Sequence, residues 1–496
     1  MDLITRQTLK GSIYSYLGAI LGFVNVALLM PSIFSTAEIG LTNILIASST
    51  IYGQLGTLGF MNVTTKLFPY FRDKNNKHNG FVFLMLSVGT VGFLLCSLFY
   101  YLFKAQIIEN NIEDSPLFAE YVYLLIPFIF ITIFYNLIDV YNRILFNASF
   151  GTFVKEFLLR ILNFMGILLF YFNVFDFHSF ILYYTLVYGV PVLLICLLLI
   201  YRGDFSIKPS FKLLTPEFCK KMLSVAFFGL ISGLGSMAVW QIDRTIINNY
   251  YNLDATGIYS VMFAFGAMIL IPGRSLVRIS GSVVAESFRY NDYDKINKVY
   301  KKSINGLTTV GILAFILIWG NVDNILQFLK PEYVQGKYVV LFVSLAHLFQ
   351  MMGGTSAEII SFGKFYKEYS VIVLILIISI IGFNLLLLPI LNITGAAIAL
   401  SISFFISSMI KFLFIKAKYN FQPYDWDFLK IILLGMTAYL LSLLMPEIGN
   451  FIADIVIRSI ILSLLFILPV YYFKLSDDVT MFIDTLIKRV VKHVKK

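Results

Sequence analysis

Ionisable side chains occur inside long apolar stretches of this 496-residue sequence. A charge in such a stretch is costly unless it faces a polar cavity or a partner, so each one is a candidate for function. The candidates for substrate binding are Arg160, Arg244, Arg274 and Arg278, and the candidates for coupling or gating are Asp243, Glu358 and His347.

Two of these arginines form a pair. Arg274 and Arg278 follow a Pro272-Gly273 break and are four residues apart, so they share one face of a helix. Paired guanidinium groups offer the forked geometry that phosphate oxygens accept, which predicts an anion site. The alternative is that each arginine pairs with an acid on a neighbouring helix, or that the inner one extends to the cytosol.

The adjacent residues Asp243 and Arg244 point about 100° apart on a helix, so we expect each to have its own partner. One can line a cavity while the other braces two halves of the protein, and an ion pair that fixes helix packing is an equal alternative. Arg160 lies one turn inside its stretch and can line an inner mouth or reach the surface.

Glu358 and His347 are single groups that can bind a coupling proton or ion, or a hydrogen-bonding partner on a packed helix. By contrast, Asp139 and Arg143, and Asp454 and Arg458, have i,i+4 spacing and are interpreted as local structural pairs. Amide groups for sugar selectivity are numerous, namely Gln54, Asn62, Asn136, Asn163, Gln241 and Gln350.

Enzymatic chemistry is not indicated. The sequence contains no Walker loop, GxSxG or HExxH motif, and its predicted outer loops are short for a catalytic domain. Cys96, Cys196 and Cys219 form no CxxC or Cys/His cluster, so we predict no disulfide, no metal site and no cofactor.

The elements that position these groups are membrane helices. Apolar and aromatic residues make up 59% of the chain and charged residues only 13%, which excludes an ordinary soluble enzyme. We predict an all-α polytopic membrane protein with about fourteen transmembrane helices. The predicted spans are 11–33, 39–60, 80–103, 119–141, 156–174, 179–200, 223–248, 256–284, 304–328, 338–361, 369–390, 394–415, 427–445 and 450–473.

The charge of +10 follows the positive-inside rule. With both termini cytosolic, most basic residues fall in cytosolic loops or in the tail, so the basic balance does not indicate nucleic acid. The tail, 474–496, is predicted to be an amphipathic basic helix lying on an anionic inner leaflet.

The longest hydrophilic connector divides the spans into two bundles. We predict an N-lobe at 1–201, a cytosolic linker at 202–221, a C-lobe at 222–418 and two further helices at 419–473. A gapless comparison of Gly40–Phe71 with Gly257–Phe288 supports two parallel repeats, which are typical of a transporter whose site lies between its halves. The matching pairs are Gly40/Gly257, Ala47/Ala264, Gly56/Gly273 and Phe71/Phe288.

Two stretches of the chain carry a family likeness. One is Ala37-Glu38-Ile39-Gly40-Leu41 after the first helix, and the other is Gln241 to Ile247 followed by Thr256-Gly257-Ile258-Tyr259-Ser260. With these stretches the chain resembles the polysaccharide transporter, or oligosaccharide flippase, family. This family belongs to the multidrug/oligosaccharidyl-lipid/polysaccharide flippase superfamily. The resemblance implies two pseudo-symmetric six-helix lobes in a V shape that alternate between inward-open and outward-open states.

The resemblance also implies a substrate. Family members carry undecaprenyl-pyrophosphate-linked oligosaccharides, as for O-antigen, capsule or exopolysaccharide, from the cytosolic to the periplasmic leaflet of the bacterial inner membrane. The pyrophosphate would contact Arg244, Arg274 and Arg278, with Arg160 a further candidate. We expect a monomer that can work with glycan polymerases.

Two alternatives remain at this point. A multidrug cation antiporter of the same superfamily would be expected to have a carboxylate-rich cavity, whereas arginines predominate within these spans. A membrane-embedded glycan polymerase or acyltransferase would need clustered catalytic groups, which the sequence does not contain.

Overall fold

The computed structural model describes residues 3–145, 148–210, 213–446, 448–481 and 483–485. The chain divides into two compact units, Met1–Val261 and Met262–Lys496. Within the described ranges nearly every residue is helical and no strand occurs. An all-helical chain satisfies its backbone hydrogen bonds internally, as a lipid environment requires.

The first unit contains eleven α-helices among its described residues, together with the first part of a twelfth. The helices are α1 (Leu3–Phe23), α2 (Met30–Ile33), α3 (Thr36–Gly56), α4 (Phe60–Phe71), α5 (Phe81–Asn111), α6 (Pro116–Tyr121), α7 (Leu125–Ile144), α8 (Ala148–Thr152), α9 (Leu159–Tyr171), α10 (Phe177–Tyr201), α11 (Pro216–Tyr250) and α12 (Leu253–Ala267). Two π-helical turns, Val24–Leu29 and Phe153–Leu158, join α1 to α2 and α8 to α9.

The second unit continues from α12 with shorter breaks between its helices. The helices are α13 (Leu270–Arg289), α14 (Tyr293–Gly320), α15 (Val322–Gln327), α16 (Lys337–Met352), α17 (Ser356–Phe362), α18 (Tyr366–Tyr419), α19 (Trp426–Ser442) and α20 (Phe451–Tyr472). A buried cluster that includes Val284, Ile304, Ile359 and Ile415 packs α13, α14, α17 and α18 together.

Helices lie at every one of the fourteen predicted spans. By length and hydropathy, seven described helices can cross a membrane, or up to ten if three pairs bent by 43°, 54° and 52° each count as one span. Helix α18 contains two predicted spans. Its 54 residues would measure about 80 Å if straight, which is long enough for both. Asn392, with φ 52° and ψ −148°, breaks it between the two.

Several helices extend beyond the predicted apolar spans. Helix α5 continues to Asn111 rather than ending near 103, and α11 begins at Pro216, inside the predicted linker 202–221. The physical reason is that backbone hydrogen bonding continues where the side chains become polar. The predicted lobe division, which is a matter of topology, stays a prediction.

The predicted tail helix lies only partly within the described residues. Its start is observed, since Thr480 N–H donates to the Ser476 carbonyl at 2.9 Å. Asp478 contacts Lys302 of α14 at 3.0 Å, which holds this start against the second unit. The basic end of the tail, residues 486–496, lies outside the described residues.

Candidate functional site

A charged pocket lies inside the first unit, among α3, α7, α9, α10, α11 and the π-helical turn Phe153–Leu158. Its volume is about 280 Å³. Apolar residues form much of the wall, and the polar groups that matter here are Tyr135, Asn136, Lys155, Glu156, Arg160 and Gln241. Arg160, one of the predicted binding residues, is therefore in a cavity.

The π-helical turn explains why Lys155 and Arg160 share this pocket. In an α-helix, residues five apart differ by about 140° in direction. A π-helical turn bonds residue i to residue i+5 and so brings this pair onto nearly the same face. Lys155 lies within the turn Phe153–Leu158, and Arg160 is the second residue after it. Turns of this kind are frequent at functional sites.

Two glycines on α1 allow this turn to approach closely. A Cβ at Gly18 would lie 2.0 Å from the carbonyl oxygen of Glu156, and a Cβ at Gly22 would lie 3.2 Å from Nε of Arg160. Residues four apart share one helix face, and small residues there let two backbones meet. Asn25 strengthens the contact, because its Nδ2 donates to the Arg160 carbonyl at 2.8 Å.

The ammonium group of Lys155 interacts with an aromatic ring and with charged side chains around the pocket. Lys155 Nζ lies 4.2 Å from the centroid of the Tyr135 ring, a cation–π contact. Lys155 also interacts electrostatically with Asp139 and Glu156, and with Arg160, a like charge. Arg143 is a further like charge that interacts with Lys155, so three cations stand against two carboxylates, and this net charge of +1 favours an anionic ligand.

Asn136 provides a further donor for such a ligand. Its side chain lines the pocket and the residue is 6% exposed, and its buried Nδ2 has no hydrogen-bond partner among the described residues. A buried donor without a partner carries a desolvation penalty that an acceptor from a ligand removes. With two cations against one carboxylate in the wall, a phosphate group fits this donor set best.

Asp243 and Arg244 have separate partners, as predicted. Asp243 accepts a hydrogen bond of 2.7 Å from the Tyr259 hydroxyl. Arg244 donates to Ser260 Oγ at 3.1 Å, to the Trp240 carbonyl and, at 2.9 Å, to Oε1 of Gln241. Because Gln241 lines the charged pocket, Arg244 lies directly behind its wall.

The paired arginines Arg274 and Arg278 belong to the second unit. Both are on α13 after the bend that follows α12, and both side chains are exposed. They are not part of the lining of the charged pocket. Their role as an anion site stays a prediction.

Of the three candidates for coupling or gating, Asp243 is in the first unit, and Glu358 and His347 are in the second. Glu358 on α17 interacts electrostatically with Lys411 of α18, a partner that the sequence did not indicate, and it packs against Gly281. His347 on α16 is 1% exposed, and its Nδ1 lies 3.4 Å from Oε1 of Gln350. The rings of Phe263 and Phe404 contact its imidazole edge to face.

The two predicted i,i+4 pairs are confirmed. Arg143 contacts Asp139 at 2.6 Å, and Arg458 contacts Asp454 through Nε at 3.0 Å and Nη2 at 3.3 Å. Arg458 also donates to the Ser442 carbonyl at 3.1 Å, which joins α20 to α19.

Lys155 is a charged residue of the pocket that the sequence analysis did not single out. The predicted span begins at 156, which leaves Lys155 among the cytosolic basic residues. The available signal was the pair Gly18 and Gly22 on α1, four residues apart in an apolar helix, because such a pair marks a close helix contact.

Comparison with known proteins gives sequence relatives. Residues 4–272 match the family described as polysaccharide biosynthesis protein. The chain is 27% identical over 215 residues to "Probable flippase AglR" of Haloferax volcanii, covering 42% of this chain and 44% of that protein. It is 29% identical over 193 residues to "Capsular polysaccharide biosynthesis protein CapF" of Staphylococcus aureus, covering 37% and 47%. The chain thus spans less than half the length of the curated relatives it matches.

Solved structures share the fold. The chain is similar to the inward closed conformation of lipid II flippase MurJ, with a TM-score of 0.76 at 15% identity over 93% of this chain and 98% of that one. It is also similar to the inward-facing conformation of a multidrug resistance MATE family transporter of the MOP superfamily, with a TM-score of 0.59 at 15% identity over 84% and 98%. The predicted all-α polytopic fold is confirmed.

Proposed function

Because the chain belongs to the family of polysaccharide biosynthesis proteins, we propose that it is a flippase for lipid-linked saccharides. The predicted resemblance is confirmed at the level of family, and the chain is a multi-pass membrane protein. The expectation that it is not an enzyme agrees with relatives that are named as flippases or transporters. The substrate, its linkage and the transport cycle are the proposal.

The observation that carries the proposal is the charged pocket of the first unit. A lipid-linked saccharide of the proposed class joins its sugar to an isoprenoid through a diphosphate. Lys155 and Arg160 would contact the diphosphate oxygens, and Asn136 Nδ2 would donate to one of them. Charge-assisted hydrogen bonds of this kind are about twice as strong as neutral ones.

The remaining arginines extend this proposal along the substrate path. Arg244 would reach the pocket through Gln241, while Arg274 and Arg278 would contact the diphosphate in another state of the cycle. We propose undecaprenyl diphosphate as the carrier lipid and alternating access as the cycle. The proposed location is the bacterial cytoplasmic membrane with both termini in the cytosol.

A multidrug cation antiporter is less compatible with the pocket. A cationic substrate needs carboxylates that are free to face it, whereas the wall contains one carboxylate, Glu156, against the cations Lys155 and Arg160. Removing Lys155 and Arg160 would improve the binding of a cation and weaken the binding of an anion. The two functions therefore predict opposite effects of these substitutions on the binding of the transported substrate, which would weaken for a flippase and improve for a cation antiporter.

The test is a binding measurement on the purified full-length protein in nanodiscs. The probe is farnesyl diphosphate, which has the proposed anionic group on a short isoprenoid, and farnesol is the uncharged control. We expect farnesyl diphosphate to bind and the double variant Lys155→Gln with Arg160→Gln to lose at least about tenfold in affinity, since one hydrogen bond to a charged group contributes roughly 1.5–3 kcal/mol.

The matched control is Lys430→Gln, which removes an exposed lysine with a side-chain exposure of 56%. Its affinity should equal that of the unmodified protein. Equal binding of farnesol and farnesyl diphosphate, or an unchanged affinity of the double variant for farnesyl diphosphate, would contradict the proposal. Restored surface glycan in a bacterial strain that lacks its own flippase would extend the result from binding to transport.

A further inference from the structure

A second cavity of the first unit lies on the other side of α3 from the charged pocket. Ile44, Ser48 and Tyr52 of α3 line this cavity. Ile46, Ser49 and Thr50 of the same helix line the charged pocket. At about 100° per residue these two sets point in nearly opposite directions, so α3 separates the two cavities.

The chemistry of this amide cavity differs from that of the charged pocket. Its volume is about 500 Å³, and none of the residues that line it carries a charge. Ligand pockets typically measure about 300–1,000 Å³. Amides and aromatic rings supply the wall where α5 meets α11, with Gln106, Asn110, Asn111, Asn248, Asn249 and Phe103 as its main groups.

Two of the amides are fixed by each other. Asn248 Nδ2 donates to Asn111 Oδ1 at 2.9 Å, and Asn111 Nδ2 donates to the Ile107 carbonyl at 2.8 Å. This pair is buried and joins α11 to α5. It links the two helices by a hydrogen bond, and it leaves Gln106, Asn110 and Asn249 as exposed amides at the rim.

One buried polar group in the wall of the cavity lacks a hydrogen-bond partner among the described residues. The Thr245 hydroxyl is buried, lines the cavity and has no hydrogen-bond partner among the described residues. Most serine and threonine hydroxyls in apolar helices donate to their own backbone, as Thr90 does to the Leu86 carbonyl at 2.9 Å. A hydroxyl left unpaired beside an open cavity indicates a ligand that supplies the partner.

We propose that the amide cavity binds the uncharged saccharide of the transported lipid. A sugar presents adjacent hydroxyls, each a donor and an acceptor, which amide groups can match with both functions at once. The exposed ring of Phe103 and the ring of Tyr52 offer apolar faces to the C–H side of a sugar. None of the lining residues carries a charge, which favours an uncharged group over a diphosphate. Because α3 separates the two cavities, the saccharide would occupy this one at a different stage of transport from the contact of the diphosphate with Lys155 and Arg160.

This inference rests on the proposed function and is tested with two lipids. The probes are a polyprenyl diphosphate without sugar and the same lipid carrying a glucose, galactose or N-acetylglucosamine headgroup. Binding to the full-length protein in nanodiscs is measured for each. We expect at least one sugar to raise the affinity about tenfold or more over the sugar-free lipid, as hydrogen-bonded recognition of several hydroxyls requires.

The double variant Thr245→Val with Asn249→Leu should abolish that increase and leave the sugar-free lipid bound as before. Thr90→Val on α5 is the matched control, because its hydroxyl is bonded to its own helix, and it should keep the increase. An increase that survives the double variant, or no increase with any of the three sugars, would overturn the saccharide site. Failure of the sugar-free lipid to bind to the unmodified protein would instead contradict the proposed function. Unchanged binding of the sugar-free lipid to the double variant shows that the variant is folded.

Discussion

Substituting Gly18 with alanine tests whether the contact between α1 and the turn Phe153–Leu158 positions the cations of the charged pocket. A Cβ at this position would lie 2.0 Å from the Glu156 carbonyl oxygen, whereas ordinary contact begins at 3.4 Å. The backbone of the turn must therefore move by about 1.4 Å, because the atom in the way is not on a flexible side chain. Lys155 precedes Glu156 and would move with it.

The magnitude follows from comparison with Gly11, another glycine of α1. Alanine is favoured over glycine in a helix interior by about 1 kcal/mol, and a Cβ at Gly11 would meet nothing within 4 Å. Gly11→Ala should therefore stabilise the protein by up to that amount. Gly18→Ala has the same gain but adds an overpacking cost of about 1–3 kcal/mol, so the difference between the two variants measures this cost.

The assays are thermal unfolding in detergent and farnesyl diphosphate binding in nanodiscs. We expect Gly18→Ala to unfold at a lower temperature than Gly11→Ala and to bind at least about tenfold more weakly, since charge-assisted hydrogen bonds need separations of about 2.7–2.9 Å. Gly22→Ala should be intermediate, because it meets the movable side chain of Arg160 at 3.2 Å. Equal unfolding temperatures and equal affinities for the Gly18 and Gly11 variants would refute this account of the pocket.

Two further predictions concern stability in the second unit. Arg458→Ala should destabilise the protein by about 3–5 kcal/mol, because it leaves the buried Asp454 carboxylate without its charged partner. The control Lys430→Ala removes one partner of an exposed ion pair and should change stability by at most about 1 kcal/mol. Equal unfolding temperatures of the two variants would contradict this prediction. Burial raises the pKa of the Asp425 carboxyl, but hydrogen bonds from Lys301 and a backbone N–H outweigh it and hold the pKa below its usual value. Because the pKa is lowered, the ionised Asp425 carboxylate stabilises the fold above about pH 4, and this stabilisation is lost as the pH falls through the folded-state pKa. The difference in unfolding temperature between the unmodified protein and Asp425→Asn should therefore shrink from pH 6 to pH 3. A difference that stays constant would refute this prediction.

Local spacing predicted much of the fold and some of the contacts. Apolar runs indicated helices at all fourteen predicted positions because burial in lipid constrains composition strongly. The pair Asp454 and Arg458 could be predicted because i,i+4 neighbours meet on any α-helix. The separate partners of Asp243 and Arg244 followed from the same helical geometry.

The charged pocket could not be predicted in the same way. The predicted span began at Glu156, so Lys155 was placed in a loop, although the structure has it in a helical turn within a cavity wall. The π-helical turn that aligns it with Arg160 packs on the backbone of α1 at Gly18, which is far away in sequence. Contacts of this kind are set by tertiary packing, and the local pattern around Lys155 contains no sign of them.

The repeat comparison gains a physical meaning from the first unit. A Cβ at Gly40 would lie 2.0 Å from the Leu253 carbonyl, and a Cβ at Gly257 would lie 2.0 Å from the Thr36 carbonyl. The two glycines that matched in the gapless comparison therefore occupy reciprocal positions in one helix contact. Thr36 and Asp254 are hydrogen-bonded beside it.

The π-helical turn has a consequence for how this site compares between relatives. A π-helical turn corresponds to one residue inserted into an α-helix. Deleting one residue between Lys155 and Arg160 would restore regular α-helix and change their spacing from i,i+5 to i,i+4, which keeps both cations on one helix face. A relative with a regular α-helix here can therefore keep the same pair of cations four residues apart, and an alignment of this segment needs a gap of one residue to match the two pairs.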